Sequence, residues 1–210
     1  MKLTVVDYGS GNLQSVGQAL MAAARHIGQP IDMTITAIPD DIAAADAVVL
    51  PGVGAFGDCV AGLEAIDGMK PALIEAVLHQ AKPFLGICVG MQLMASLGLE
   101  GGETPGLDWI GGTVSKLDPG PGLKIPHMGW NSLNLVAEHD LWAGIDQGAA
   151  VYFLHSYAVT GADHVLAETD YGGPVVAAIG TDNFVGLQFH PEKSQAVGQQ
   201  ILGNWLTWKP

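Results

Sequence analysis

The stretch Pro83-Phe84-Leu85-Gly86-Ile87-Cys88-Val89-Gly90-Met91-Gln92 is an apolar strand running into Gly-x-Cys-x-Gly and then into a helical pattern. A chain that turns sharply from strand to helix needs small residues on either side of the turning residue, because a side chain there would block the turn. Gly86 and Gly90 meet that need and lift Cys88 clear of the sheet, the arrangement of a nucleophile elbow with cysteine in place of serine. The helix after it aims its N-terminal amides and positive dipole end at the sulfur, which makes Cys88 reactive. A buried structural cysteine at a strand end is the ordinary alternative, and the glycine frame argues against it.

Outward from this strand, the first half alternates short β-branched runs with helical patterns, the sequence form of a parallel sheet covered by helices. The strands expected are Leu3–Val6, Ile31–Thr36, Ala47–Leu50 and Phe84–Ile87. After Asn12, which is placed to cap a helix, Leu13, Val16, Leu20, Met21, Ala24 and Ile27 recur at helical spacing. Met69 to Ala81 is a second helical stretch, closed by Pro83. From Trp109 onward the pattern changes to strands, with Val151–Val159, Val175–Gly180 and Val185–His190 expected, the last two joined by a turn at Thr181-Asp182-Asn183. Gly98 to Gly106 and Asp118 to Gly122 read as loops too short to link domains. The expectation is one α/β domain over 1–210, with an open, twisted, mixed but largely parallel sheet flanked by helices.

Composition narrows the function. Hydrophobic residues make up 49% of the 210, yet no apolar run reaches the roughly 18 to 20 residues that cross a bilayer. The start, Met1 to Asp7, enters a strand pattern at once and lacks the features of a signal peptide, so a cytoplasmic location is expected. Cys59 and Cys88 are the only cysteines, too few for a disulfide framework, and no histidine or cysteine pair has metal-ligand spacing. A net charge of −13 would repel nucleic acid and anionic lipid, leaving small molecules and proteins as partners.

A cysteine nucleophile needs a base and an orienting acceptor for that base. His190-Pro191-Glu192 supplies both, at the end of the strand-like run Phe184 to Phe189, where open α/β sheets place their sites. Proline between them fixes the backbone so that Glu192 can reach one imidazole nitrogen while the other faces Cys88. A surface turn with an incidental histidine is the bland alternative. The third element is Pro51-Gly52-Val53-Gly54-Ala55-Phe56-Gly57 after a strand, a loop whose amides could meet a developing oxyanion. Val89, next after the cysteine, and an amide from Gly52 to Gly54, with Gly52 and Val53 foremost, are the natural donors. The loop lacks the Lys-Ser/Thr of a phosphate-binding P-loop.

Gly86 to Gln92 together with Phe189-His190-Pro191-Glu192-Lys193 resembles the class I, triad-type glutamine amidotransferases, which have a flavodoxin-like fold. Asp7 to Leu13, Pro51 to Phe56, Pro126-His127-Met128-Gly129-Trp130-Asn131 and Tyr152 to Tyr157 are similar to the branch of that family that serves imidazole glycerol phosphate synthases in histidine biosynthesis. The resemblance implies L-glutamine as substrate, Cys88, His190 and Glu192 as catalytic triad, and Gln92, Glu100 and His155-Ser156-Tyr157 as glutamine-binding positions. It implies a (β/α)₈-barrel cyclase as partner, receiving ammonia through a channel, with Asn12, Asn131 and Lys193 at the interface; no cofactor is expected, and the absence of metal-ligand spacing leaves no metal expected either. Two departures stand out: Ala95 to Gly98 is less acidic than the family run before Glu100, and Gln14 replaces a more usual arginine. A subunit that keeps the fold but is catalytically silent, and a cysteine peptidase built on a similar elbow, are the readings from other classes. The intact triad argues against the first, and the downstream Phe-His-Pro-Glu against the second. If the Gly52-Val53 peptide turns a carbonyl into the site, the isolated chain should bind glutamine but hydrolyse it poorly.

Overall fold

The computed structural model describes residues 1–210. Its central element is the strand Phe84–Cys88 (β4), whose five residues are all buried. A strand covered on both faces has no solvent side to vary, which is why its sequence is continuously apolar rather than alternating. Ala47–Gly52 (β3), also buried throughout, pairs parallel to one edge of it, and Phe184–Leu187 (β14) pairs parallel to the other. Lys2–Val6 (β1) and Asp32–Thr36 (β2) continue the sheet in parallel beyond β3, with β2 alternating exposed and covered residues as an edge strand does. On the far side of β14, Pro174–Gly180 (β13), Val165–Asp170 (β12) and the short Asn134–Leu135 (β9) add three antiparallel pairings. The eight-stranded sheet is therefore mixed, in the order β2-β1-β3-β4-β14-β13-β12-β9.

Helices cover its faces. Leu13–His26 (α1) buries Val16, Leu20, Ala23 and Ala24, a stripe at helical spacing, and packs against Gln195–Thr207 (α6). Pro39–Ala44 (α2), Phe56–Glu64 (α3) and Met69–Ile74 (α4) complete the layers, and Val89–Gln92 (α5) is a single turn directly after β4. Two small sheets stand apart: His127–Ser132 (β8) with Ala150–His155 (β10), and Tyr157–Ala162 (β11) with Gly111–Lys116 (β7), Leu97–Gly98 (β5) and Thr104–Pro105 (β6). No helix is long and apolar enough to cross a membrane.

Several expectations need correction. Asn12 does not cap α1 with its side chain, because its ψ of 60° is not the extended conformation that brings a side-chain oxygen onto the first turn; only its carbonyl joins, accepting from Val16 N at 2.9 Å. The helix from Met69 becomes a π-type turn at Glu75–His79 and stops before Ala81, whose φ of 51° cannot belong to a right-handed helix. The supposed single strand Val151–Val159 is two strands in different sheets. His155 bonds forward to the carbonyl of Tyr157, two residues on, and this folds the chain at Ser156. The loop Gly98 to Gly106 contains β5 and β6. The helix after Cys88 is one turn long, so less of a dipole faces the sulfur than the sequence pattern suggested.

Candidate active site

Register fixes where the site lies. Gly52 pairs with Cys88 across β3 and β4, and Ile87 pairs with Leu187 across β4 and β14. The three chains thus leave the sheet at one level, at their carboxyl ends, where open α/β sheets place their ligands.

Cys88 has φ 55° and ψ −111°, a conformation that costs a non-glycine residue about 1–3 kcal/mol and persists only when the surroundings impose it. They do so through direct backbone contact. A methyl group added to Gly90 would lie 1.8 Å from the Leu50 carbonyl oxygen, one on Gly86 2.7 Å from the Gly90 carbonyl oxygen, and one on Gly52 2.7 Å from the Gly90 nitrogen. The elbow is held by backbone packed on backbone. The sulfur itself is nearly buried, with the Leu154 carbonyl at 3.9 Å and the Gln188 Nε2 amide at 3.8 Å.

His190 follows β14 and Glu192 lies two residues on, in a short turn that Pro191 begins. The imidazole Nδ1 is 2.8 Å from Glu192 Oε1, and the two side chains are 4% and 1% exposed. The backbone of His190 is pinned twice: its amide donates to the Tyr152 carbonyl at 2.8 Å, and its carbonyl accepts from Ser194 Oγ at 2.7 Å. Burial works against a charged imidazole here, but the neighbouring Cys88 and then Glu192, hydrogen-bonded at 2.8 Å, outweigh it and raise the His190 pKa to about 9. Glu192 Oε2 is buried without a protein partner, so the imidazolium is the group that balances this carboxylate. The His190 imidazole therefore holds its proton until the pH approaches about 9.

A cavity of about 280 Å³ opens above Cys88. Of the residues singled out from the sequence, Cys88, Val89, His190, Val53, Gln92, Glu100, His155, Ser156, Tyr157 and Lys193 line it. Gly52, Glu192, Asn12 and Asn131 do not line it. The polar groups are largely engaged with one another. Gln92 Nε2 donates to the Tyr157 carbonyl at 2.9 Å and to Gln188 Oε1 at 3.0 Å. Glu100 Oε2 accepts from the Phe56 amide at 2.8 Å and so caps α3 at the end of the glycine loop. Lys193 extends over the Tyr152 ring, 5.8 Å from its centroid. Asn131 faces inward, spent on His127 and the Asp170 carbonyl, while its strand neighbours Met128 and Trp130 are 65% and 49% exposed.

Val53 is held by Ser10, whose hydroxyl accepts from the Val53 amide at 3.2 Å and also approaches the Val53 carbonyl. Beneath it Cys59, buried and with its thiol pushed up in pKa by that burial, touches Ser10 Oγ at 3.3 Å and the Val53 carbonyl at 3.5 Å. In this conformation the Val53 amide is turned to Ser10.

Three residues of the site escaped the sequence reading: Gln188, Ser10 and His127. Gln188 had a visible signal, a lone amide in the otherwise apolar run Phe184 to Phe189, and the structure buries it fully. Ser10 stood in a glycine-flanked loop without one. His127 lies 28 residues from the His155 it contacts. No group of three or more His, Cys, Asp or Glu side chains is arranged to hold a metal ion.

Comparison with known proteins meets this geometry from the other side. Residues 4–207 match the family described as glutamine amidotransferase class-I. The chain is 55% identical over 214 residues to the imidazole glycerol phosphate synthase subunit HisH of Rhodospirillum rubrum, with 100% of both chains covered. To the subunit of the same name from Caulobacter vibrioides it is 54% identical over 211 residues, with 99% of each covered. Among solved structures, a putative GMP synthase subunit from Thermoplasma acidophilum superposes with a TM-score of 0.69 at 20% identity, over 98% of this chain and 92% of that one. A structure described as a glutamine amidotransferase gives 0.68 at 14% identity, over 93% of each chain. These two speak for the fold, and the sequence relatives and the family match for descent: the chain belongs to the class I glutamine amidotransferases.

Proposed function

We propose that this chain is the glutaminase subunit of an imidazole glycerol phosphate synthase, acting as one domain over 1–210 with Cys88, His190 and Glu192 as its catalytic residues. The observation that carries the reading is the convergence of those three side chains at the carboxyl edge of β3, β4 and β14, under a cavity of about 280 Å³. The Cys88 sulfur attacks the side-chain amide carbon of glutamine. The carbon–nitrogen bond breaks as His190 gives its proton to the departing nitrogen, and ammonia leaves a thioester. Water then adds to the thioester with His190 accepting a proton, the carbon–sulfur bond breaks, and glutamate is released with Cys88 restored. Val89 supplies one amide to the oxyanion and the Gly52-Val53-Gly54 loop the other. The second donor is not in place while the Val53 amide serves Ser10, so the resting chain binds glutamine and turns it over slowly.

The partner is the cyclase of the synthase, whose (β/α)₈ barrel takes the ammonia before water can protonate it and uses it to form imidazole glycerol phosphate for histidine synthesis. Its docking surface is the outer face of β8 and β10, where Met128 and Trp130 are exposed, Trp130 and Tyr152 meet at 6.1 Å, and Lys193 lies beside the cavity. The free, unpaired thiols fit the reducing cytoplasm. Glutamate release by the chain alone, and with the cyclase and its phosphoribosyl substrate, tests this reading, with Cys88→Ala as control. The expected result is activity that rises sharply in the complex and falls by about 10⁴-fold or more in the variant. Activity independent of Cys88, or none in either state, would overturn it.

A further inference from the structure

Beside the cavity a row of side chains fixes its own protons, and each link dictates the next. The Tyr157 carbonyl can only accept, so His155 Nδ1, 2.9 Å away, bears a hydrogen. A neutral imidazole has one, so His155 Nε2 is an acceptor, and His127 Nδ1 at 3.0 Å must be the donor to it. His127 Nε2 is then an acceptor in turn, and Asn131 Nδ2 donates to it at 3.2 Å. The Asn131 carboxamide cannot be reversed, because its Oδ1 accepts from the Ser132 amide at 2.8 Å and its Nδ2 also donates to the Asp170 carbonyl at 2.9 Å.

Both rings are held neutral, since burial depresses His127 and His155 alike to a pKa of about 4. His127 also cannot swing, being stacked between Tyr171 (centroids 3.9 Å apart) and Phe153 (4.7 Å). The alternative hydrogen on His155 would set a lone pair against the Tyr157 carbonyl. That carbonyl is also the acceptor for Gln92, and Gln92 donates in turn to Gln188, whose own amide points at the Cys88 sulfur.

We propose that His127, which does not line the cavity, is a positioning residue for glutamine: by donating to His155 it fixes the Nδ1–H form of that ring and thereby locks the Ser156–Tyr157 turn and the Gln92–Gln188 pair around the substrate. The proposal rests on the glutaminase reading. Its effect falls on the wall that holds the substrate body, so it belongs mainly to KM.

The test combines nitrogen-15 imidazole spectra of the whole chain with glutamine kinetics of the cyclase complex. The wild-type spectrum should show His155 neutral with hydrogen on Nδ1; hydrogen on Nε2 overturns the proposal without any variant being made. His127→Phe keeps a ring between Tyr171 and Phe153 but removes the donor, and should raise KM about tenfold with kcat changed less than about threefold. His127→Asn returns a donor near the Nδ1 position and should recover most of that loss, which a merely structural role would not predict. Should the Phe variant fail to fold, Asn131→Ala removes the first link and should mix the two forms of His155 in the spectrum; an unchanged spectrum counts against the row. A wild-type complex that hydrolyses glutamine while His127→Phe leaves KM unmoved overturns the positioning role alone, whereas a complex that hydrolyses none overturns the reading beneath it.

Discussion

The two sides of the Cys88 cavity are built in opposite ways. On the elbow side, Gly86, Gly90 and Gly52 are pressed against neighbouring backbone so closely that an added methyl group would fall within 2.7 Å of it. On the loop side, Val53 is 42% exposed, and a methyl group added to Gly54 would meet nothing within 4 Å. One wall is set by main-chain packing that no side-chain rotation can relax. The other is tied down by the hydroxyl of Ser10 and the thiol of Cys59. Cys88 is thus preorganised by its packing with local strain, whereas the Gly52-Val53-Gly54 loop is held by side-chain hydrogen bonds that a change of partner could exchange, as the partner-gated activity proposed above requires.

The sharpest way to break the comparison is a single methyl group on the rigid side. Gly90→Ala puts a carbon 1.8 Å from the Leu50 oxygen, and since that neighbour is backbone of a buried strand it cannot move aside. We expect a loss of about 3 kcal/mol or more in denaturant unfolding, with glutamine hydrolysis abolished even in protein that stays folded. Gly54→Ala, with free space around it but a φ of 94°, should cost about 1 kcal/mol and leave the elbow intact. Equal losses at the two positions would show that both walls are rigid.

The rigid side is also fixed electrostatically, and here pH is the probe. His190 has its pKa raised to about 9 in the folded chain from an ordinary 6.5, so its contribution to stability is complete below about pH 6.5 and is lost as pH rises through about 9. Glu192→Gln removes the carboxylate while keeping a hydrogen-bonding group, and the imidazole pKa should fall. The alkaline limb of the pH–rate profile should therefore move to lower pH, and the drop in Tm between about pH 6 and pH 9.5 should shrink relative to wild type. An alkaline limb that stays in place would mean that Cys88 alone holds the proton on His190.

What the sequence disclosed follows the same division. The elbow was legible because its causes are local: glycines flanking a cysteine, an apolar run buried on both faces, a proline between His190 and Glu192. The parallel half of the sheet was legible for the same reason. The break at Ser156 was not, because alternation in Val151–Val159 says which face a residue takes but not which sheet it joins; that depends on β8 and β7, which lie earlier in the chain. Glu100 reads as a substrate contact by motif position, yet its carboxylate is given to the Phe56 amide, a contact between segments 44 residues apart. His127 and Gln188 belong to this class as well. Their partners are chosen by tertiary packing, and only the cost of burying an unpaired polar group hints that partners exist.

The smallest expected effect sharpens the comparison most. Ser10→Ala removes the hydroxyl that contacts both the amide and the carbonyl of Val53, while Cys59, which would keep its contact with the carbonyl at 3.5 Å, is left in place. A single net hydrogen bond is worth about 1 kcal/mol, so the population of loops with the Val53 amide free to turn toward the cavity should rise roughly fivefold. Glutamine hydrolysis by the isolated chain should climb by about that factor, activity in the complex should barely change, and stimulation by the partner should fall accordingly. Because Ser10 lies outside the cavity and touches no residue of the proposed triad, a gain of activity has no ready explanation through the nucleophile. Lower activity in both states would instead make Ser10 a support that holds the loop in its working position, and the flexible wall would then be held to one conformation as firmly as the elbow facing it.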